Sequence, residues 1–200
     1  MKSLAIEREF GSGGREIGMR VADAAGIPCY DSSLLVEAAK RYGISIGKLQ
    51  DYDEKGGGSM LYNLMRAANL CQEKETSEMY EIQYGVKETI RRLEAEGPAV
   101  FIGRCATEIL KYRPDVVRVY VYSSNEQKKI NRIVRTEGVK KDEAKWMMER
   151  KDRSRRNYFR FFTEKDWQDR RNYDLELNTD MISVEECADI LLYMIRKTEN

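Results

Sequence analysis

A glycine-rich segment near the N-terminus has the residue types and spacing of an anion-binding loop. Three glycines fall within four positions, between a short apolar run at Leu4–Ile6 and a helical pattern that begins at Arg15. Glycines at this spacing let backbone amides turn toward an anion, and the N-terminus of the following helix adds partial positive charge. We predict that nucleotide phosphates bind here, through Gly11, Ser12, Gly13, Gly14, Arg15 and Glu16. A tight strand-to-helix turn without a ligand is the alternative, since a glycine cluster alone is a weak signal.

The segment departs at three positions from the P-loop pattern Gly-x-x-x-x-Gly-Lys-Ser/Thr. Glu9 replaces the first glycine, Arg15 replaces the lysine and Glu16 replaces the hydroxyl residue. Arginine neutralises phosphate as lysine does, but its planar fork requires a different geometry. A glutamate in the hydroxyl position either holds Mg²⁺, directly or through water, or repels the nucleotide.

Two further short motifs follow predicted strands, where ligands bind in parallel sheets. Asp31-Ser32 follows the second strand, and a helix cap is its simplest explanation. Gly103-Arg104 follows the third strand, which directs the arginine toward the ligand crevice unless it forms a surface ion pair. Both motifs are candidates for substrate binding.

A run of basic residues lies between the fourth and fifth predicted strands. Residues 150–160 contain six cations and one acid. Arg150, Arg153 and Arg156 recur at helical spacing and therefore share one face of a helix. Such a stripe is usually a solvated face. Interleaved aromatic residues also allow nucleic-acid binding, which the net charge of +1 disfavours. A lid that closes arginines over a polyphosphate accounts for both the cluster and its position.

The composition narrows the chemistry. The chain of 200 residues contains no histidine, which removes Ser-His and Cys-His nucleophiles and most transition-metal sites. Phosphoryl transfer remains, because it depends on arginines, carboxylates, backbone amides and a hard metal ion. The four cysteines are widely spaced and fit buried thiols, and no apolar run is long enough to span a bilayer. We therefore expect a cytoplasmic protein without membrane or nucleic-acid partners.

Hydrophobic patterning predicts one α/β domain over residues 1–200. Five strands are predicted to alternate with helices and to form a parallel sheet with helices on both faces. The predicted strands are Leu4–Ile6, Ile27–Tyr30, Ala99–Ile102, Val116–Tyr122 and Tyr173–Leu177. Predicted helices include Arg15–Ala25, Thr76–Glu96 and Lys141–Tyr158, and capping boxes are predicted at Ser124 and Ser183. Residues 32–75 are predicted to form an insertion with a mobile loop, and residues 145–171 to form the lid.

In their order along the chain, these motifs resemble the cytidylate kinase-like family, a group related to the P-loop nucleoside monophosphate kinases. The resemblance covers nearly the whole chain. Its segments are Arg8–Ile17, Gly103–Ala106, Asn157–Phe159 with Trp167, and Asn172–Leu175. It implies a P-loop kinase fold, with residues 32–75 on the acceptor side, and ATP with Mg²⁺ as the phosphoryl donor. It also implies that Asp31 and Ser32 contact a nucleoside monophosphate and that Arg104 binds the acceptor's phosphate. It further implies that a lid segment places arginines around the transferred group; its matching residues are Arg150, Asp152, Arg153 and Arg155, with Arg156 near. Glu37 stands where cytidylate kinases have an arginine.

The favoured hypothesis is a phosphotransferase that moves the γ-phosphoryl group of ATP to a nucleoside monophosphate such as CMP, or to a related phosphorylated or hydroxylated small molecule. Its predicted catalytic residues are Arg15, Arg150, Arg153 and Arg156. A phosphate acceptor is already anionic at pH 7 and needs no general base, which fits a chain without histidine. A non-catalytic nucleotide- or anion-binding protein on the same fold is the second hypothesis, because the P-loop lysine and hydroxyl are missing. A nucleic-acid-binding module is the third. The sequence predicts no particular oligomeric state.

Overall fold

A computed structural model describes residues 1–31 and 73–197 of the chain, and over residues 73–82 it describes the backbone alone. The predicted insertion lies largely outside the described residues, together with its mobile loop. So do Ser32, Glu37 and Cys71.

Five parallel strands form one sheet, as predicted. They are β1 (Ser3–Arg8), β2 (Cys29–Tyr30), β3 (Val100–Ile102), β4 (Val116–Tyr122) and β5 (Leu175–Asn178). The strand order is β2-β3-β1-β4-β5, which places β1 at the centre between β3 and β4. All five strands end at the same edge of the sheet, called the carboxyl edge below. In parallel sheets this edge is where ligands bind.

Helices connect the strands and cover both faces of the sheet. In the described ranges these are α1 (Gly14–Ala25), α2 (Glu73–Glu96), α3 (Ala106–Ile109), α4 (Glu126–Glu137), α5 (Lys141–Thr163) and α6 (Val184–Arg196). A turn of 3₁₀-helix, Arg170–Asn172, precedes β5. Across residues 1–31 and 73–197, no helix is both long enough and apolar enough to cross a bilayer.

The hydrophobic core has one layer on each face of the sheet, because successive residues of a strand point to opposite sides. On one face, Leu4 and Ile6 of β1 pack with residues of α1 and α6, including Ile17 and Leu191. On the other face, Ala5 packs with residues of α2, β3 and α3. Burial on both faces explains why β1, β3 and β4 are largely apolar runs rather than alternating patterns.

Several predicted bounds differ from the structure by one to five residues, and for two of them, as for one predicted capping box, packing or hydrogen bonds give the reason. The fifth strand begins at Leu175 rather than Tyr173, because the Tyr173 side chain turns into a buried aromatic cluster and its hydroxyl donates to the Trp167 carbonyl at 2.5 Å. The fifth helix continues past Tyr158 to Thr163, since Phe159 is also buried in this cluster. The predicted capping box at Ser124 is wrong.

Asn125 caps α4 instead: its side chain accepts from the Lys128 amide at 3.1 Å. The Ser124 hydroxyl lies 3.2 Å from an oxygen of Asp180, beyond β5, and its amide donates to Asn178 at 3.2 Å. The capping box of Ser183 and Glu186 at the start of α6 is confirmed.

Candidate functional site at the carboxyl edge of the sheet

The predicted phosphate-binding segment joins β1 to α1 at the carboxyl edge. We call Glu9 to Gly14 the glycine loop. Gly11 and Gly13 have backbone φ values of +80° and +91°. Residues with a side chain rarely adopt such values, so both positions require glycine. Gly13 is the N-cap of α1 and provides no side-chain hydrogen bond to the first amides of the helix. A helix N-terminus without a side-chain cap can stabilise an anion through its backbone amides and its dipole.

Packing also explains the glycines. A Cβ built on Gly11 would lie 2.8 Å from the Lys129 carbonyl oxygen of α4, and one on Gly14 would lie 2.6 Å from Arg8 Cβ. Both distances are shorter than carbon contacts allow. A tight strand-to-helix turn therefore accounts for part of the glycine pattern. Anion binding at the loop is indicated instead by the positive charge around it.

Hydrogen bonds hold the glycine loop in one conformation. The buried Ser12 hydroxyl donates to the Glu9 carbonyl at 2.8 Å, and the Ser12 carbonyl accepts from Thr179 Oγ1 at 2.7 Å. Arg132 of α4 donates from Nη1 to the Gly11 carbonyl at 3.0 Å. The Ser12 side chain is thus engaged within the loop. Because the loop is already ordered, binding of an anion requires no further loss of conformational entropy in the loop.

Glu9, which replaces the first glycine of the P-loop pattern, is accommodated by a partner on α4. Its Oε2 atom accepts from Lys129 Nζ at 2.8 Å and from the Ser123 amide at 3.3 Å. Both side chains of the Glu9–Lys129 pair are only 13% exposed. Lys129 therefore neutralises Glu9, so this departure from the pattern adds no unpaired negative charge to the loop.

The two charged residues that begin α1 point in different directions. Arg15 Nε lies 2.7 Å from Oδ2 of Asp31, the residue that follows β2, and the Arg15 side chain is 64% exposed. Glu16 accepts instead from Arg20 along α1, at 3.0 Å. Arg15 and Asp31 are thus brought together at the carboxyl edge, whereas Glu16 is directed along the helix.

The Gly103-Arg104 motif lies beside β1 at the same edge. Gly103 has a φ of +78° and Arg104 a φ of +58°, and the Gly103 amide donates to the Ile6 carbonyl at 2.8 Å. The Arg104 guanidinium carbon lies 5.7 Å from the centre of the Tyr158 ring of α5. This distance permits a cation–π contact, so α5 covers Arg104 at the crevice.

Helix α5 packs directly on the glycine loop through one acid and one arginine. The Phe10 amide donates to Asp152 Oδ1 at 2.6 Å. Arg155 Nη1 donates at 2.9 Å to the carbonyl of Arg8, just before the loop, and the Arg155 guanidinium carbon lies 5.5 Å from the centre of the Phe10 ring in the loop. The Phe10 ring also contacts Lys151 Nζ, at 4.3 Å from its centre. Burial raises the pKa of Asp152 to about 6, despite the Phe10 amide and the charge of Arg155.

The predicted lid arginines lie on other faces of α5. Arg153 is exposed, Arg156 donates to Gln168 at 3.1 Å, and the guanidinium carbon of Arg150 lies 4.9 Å from the Trp146 ring centre. None of these contacts brings them to the glycine loop. Arg155 occupies that place.

Arg155 could have been identified from the buried side of the helix. The positions that face the body of the protein are Ala144, Met148, Asp152, Arg155 and Phe159. They recur every three or four residues, which is the spacing of one helix face. Arg153, two positions from Arg155, points about 200° away from it around the helix.

A buried carboxylate, Glu7 of β1, lies behind this group of arginines. Its Oε2 atom accepts from Trp167 Nε1 at 3.2 Å, and its other oxygen is buried without a partner in the described part of the chain. Burial raises the pKa of Glu7, while the charges of Arg8 and Arg155 oppose the rise. The sequence analysis assigned no role to Glu7 or Arg8, and it named Arg155 only among the lid residues that the family resemblance implies.

A parallel five-stranded sheet with a glycine loop between its first strand and first helix, and an arginine-bearing helix packed on that loop, is the architecture of the P-loop kinases. The chain belongs to the cytidylate kinase-like family, whose family model matches residues 3–181. The family supports phosphoryl transfer as the class of chemistry and leaves the substrate open.

Solved structures agree on the fold. The chain is 27% identical to an uncharacterized protein from Eubacterium ventriosum, with 99% of this chain and 100% of that chain covered and a TM-score of 0.74. A shikimate kinase from Acinetobacter baumannii, solved with shikimate, is 15% identical over 98% of this chain and 93% of that chain, with a TM-score of 0.51. A shikimate kinase from Bacteroides thetaiotaomicron is 13% identical over 98% and 99%, with a TM-score of 0.54. The two shikimate kinases are similar in fold alone. No curated protein matches the chain in sequence.

Proposed function

We propose that this protein transfers the γ-phosphoryl group of ATP to a nucleoside monophosphate such as CMP, or to a related small molecule. The observation that most supports this proposal is that arginines from three elements meet at the carboxyl edge: Arg15 from α1, Arg104 after β3 and Arg155 from α5. Phosphoryl transfer depends on positioned cations, because negative charge spreads over the transferred group in the transition state.

The donor phosphates bind at the glycine loop in this proposal. The loop offers the N-terminus of α1, and Arg15 is the nearest exposed cation on that helix. The Arg15–Asp31 ion pair is solvent-exposed on the arginine side, and exposed pairs contribute little stability. Arg15 can therefore turn from Asp31 to a phosphate at small cost.

Arg155 is the arginine that we assign to the transferred phosphoryl group. It reaches the glycine loop from α5 while Asp152, one turn earlier, fixes the helix to the Phe10 amide. Arg150 contacts Trp146, Arg156 donates to Gln168 and Arg153 is exposed, so we assign the transferred group to Arg155 rather than to these predicted catalytic residues of the lid.

The acceptor lies between Asp31 and Arg104 in this proposal. Arg104 pairs with the acceptor's phosphate, as the family resemblance implies, and Asp31 contacts its polar groups. A phosphate oxygen attacks without losing a proton, so no general base is required.

The residues at the edge also fit the Mg²⁺ that accompanies ATP in kinases. Magnesium is usually held by one or two carboxylates, by water and by the nucleotide phosphates. Asp31 and Glu16 are the candidate carboxylates, and each would have to leave its arginine, Arg15 or Arg20, to hold the ion. In the described ranges no group of three or more acidic or cysteine side chains forms a preorganised metal site. Bound Mg²⁺ supplies charge neutralisation between the donor phosphates.

ADP release measured with ATP, Mg²⁺ and a panel of nucleoside monophosphates and nucleosides tests this proposal. We expect turnover with at least one acceptor and a loss of about 10³-fold in kcat for Arg155→Met, the size of effect of a transition-state arginine. Arg91→Met is the matched control, because Arg91 is an exposed arginine of α2 paired with Glu88 at 3.1 Å. Absence of turnover with every acceptor, from protein shown to be folded, would contradict the proposal.

A non-catalytic nucleotide-binding protein on the same fold is the second candidate. The observation that favours it is that Glu16, in place of the P-loop hydroxyl, is turned to Arg20, while Arg15 is paired with Asp31. Tight ATP binding without turnover would favour this function. Higher activity in Arg15→Lys would instead support an active kinase with an atypical loop.

We expect the protein to work in the cytoplasm, where ATP is available, and to bind small molecules rather than nucleic acid. Arg155, one of the cations of the basic run, is directed at the protein's own loop. If nucleic acid does bind through the basic run, its affinity must fall steeply with salt concentration.

A further inference from the structure

Arg8, the last residue of β1, extends along the carboxyl edge toward β3. A Cβ built on Gly103 would lie only 2.0 Å from Arg8 Nη1, so the guanidinium lies against the backbone of Gly103. Glycine at position 103 thus makes room for the arginine side chain. The Arg8 guanidinium therefore lies next to Gly103, the neighbour of Arg104, where we propose that the acceptor binds.

Arg8 differs from Arg15 and Lys129 in forming no ion pair with a carboxylate among the described residues. Its buried Nε has no hydrogen-bond acceptor in that part of the chain. Arg15, by contrast, is paired with Asp31, and Lys129 is paired with Glu9. The adjacent carboxylate, Glu7, accepts from Trp167 instead.

Two further arginines surround Arg8. Arg155 donates to its carbonyl at 2.9 Å, and the charges of both Arg155 and Arg104 act on its guanidinium. Burial and, after it, these two charges lower the pKa of Arg8 to about 9, while Glu7 and Asp31 oppose the fall. Burial also lowers the pKa of Arg155. Guanidinium groups nevertheless remain protonated in proteins. Three arginines therefore share a partly buried space in which the two carboxylates that act on Arg8 are hydrogen-bonded to other groups, Glu7 to Trp167 and Asp31 to Arg15.

We propose that Arg8, acting with Arg104, binds an anionic group of the acceptor, either a phosphate or a carboxylate, next to the Arg155 that we assign to the transferred phosphoryl group. This makes negative charge on the acceptor a requirement for binding and excludes neutral nucleosides and sugars. The term acceptor rests on the proposed function; the anion site itself does not. The alternative is an arginine that only fills the end of the sheet, but such a residue would have its charge and donors satisfied within the protein.

Calorimetric titration of orthophosphate, and separately of acetate, tests this inference. The titrations use wild-type protein, Arg8→Met, Arg8→Gln and the control Arg91→Met, each both free and saturated with a non-hydrolysable ATP analogue. The analogue occupies the glycine loop, so the anion that still binds reports on the second site. Thermal unfolding of each variant shows whether it is folded.

We expect phosphate to bind wild type and Arg91→Met equally, and to bind Arg8→Met and Arg8→Gln about 10- to 100-fold more weakly, the effect of losing one charged hydrogen bond. Affinity for the ATP analogue should change little. Binding of phosphate without acetate identifies a phosphorylated acceptor, and binding of both identifies a carboxylate as an equal ligand. Unchanged phosphate affinity in either folded Arg8 variant overturns the inference.

Failure of the proposed function is distinguishable from failure of this inference. If the ATP analogue does not bind to wild type, the proposed function is contradicted, while phosphate titration of the free protein still tests Arg8. If both Arg8 variants are unfolded, chemical modification of the wild-type protein tests the inference instead. Phenylglyoxal modification of arginine side chains, mapped by mass spectrometry, should be slowed at Arg8 by phosphate and unchanged at Arg91. Equal rates at Arg8 with and without phosphate overturn the inference.

Discussion

Replacing Asp152 by asparagine tests the contact between α5 and the glycine loop. Asp152 Oδ1 accepts from the Phe10 amide at 2.6 Å, lies 3.8 Å from Arg155 Nη1 and belongs to a side chain that is 15% exposed. Asparagine retains an oxygen that accepts from the amide and never carries a charge. The difference between wild type and Asp152→Asn therefore isolates the ionisation of one buried carboxyl.

The size of the effect follows from the pKa of Asp152. Burial raises this pKa from its ordinary value of 3.8 to about 6; Glu9 adds to the rise, and Arg155 and Lys129 oppose it. A difference of about two pH units corresponds to ~3 kcal/mol. Because the folded state binds this proton more tightly than the unfolded chain, the stabilisation is complete below about pH 4 and is lost as the pH rises to about 6.

Urea denaturation of both proteins, followed by the fluorescence of buried Trp167, measures the predicted difference. From about pH 4 to about pH 7, the free energy of unfolding of wild type should fall by up to ~3 kcal/mol relative to Asp152→Asn, and the difference should be constant above that range. Titration of other groups affects both proteins and cancels. Stability curves that run parallel over the whole range would refute the burial of Asp152 against the loop.

Three other substitutions test the edge and its support. Gly103→Ala should lower the free energy of unfolding by about 1–3 kcal/mol, through its φ of +78° and its clash with Arg8, and should cost less in an Arg8→Met background; urea denaturation of the double-mutant cycle measures this. Trp167→Phe should destabilise by about 2–4 kcal/mol, because it leaves a space and removes the donor to Glu7; an equally stable variant would show that the hydrogen bond is unimportant. Ser183→Ala should cost about 1 kcal/mol in thermal unfolding and leave nucleotide binding unchanged, since Ser183 only caps α6.

The sheet could be predicted because its central strands are buried on both faces. Glycine and proline lie next to several strand ends and separate these strands from the neighbouring helices. The fourth strand, Val116–Tyr122, was predicted at its observed bounds because branched and aromatic residues fill it without interruption. The fifth strand was predicted two residues early. Tyr173 continues the alternation in sequence, and only tertiary packing against Trp167 turns it out of the strand.

Charge partners were the part of the site that the sequence could not provide. Glu9 is neutralised by Lys129, which lies 120 positions later, and no local pattern connects them. The basic run identified α5 as the helix that carries the arginines of the site. The spacing of its cations, however, favours the stripe of Arg150, Arg153 and Arg156, which does not face the loop. Arg155 lies on the buried stripe with Asp152, and its role depends on which face packs on the loop.

The central claim is that the glycine loop and Arg15 bind the phosphates of ATP. Calorimetric titration of ATP with Mg²⁺ into wild type, Arg15→Met and Arg91→Met tests it most directly. We predict saturable binding of one ATP to wild type and Arg91→Met, and binding about 10-fold or more weaker to Arg15→Met, as expected for the loss of one charged contact to phosphate. Folded wild-type protein that does not bind ATP, or Arg15→Met that binds it as tightly as wild type, would contradict the account.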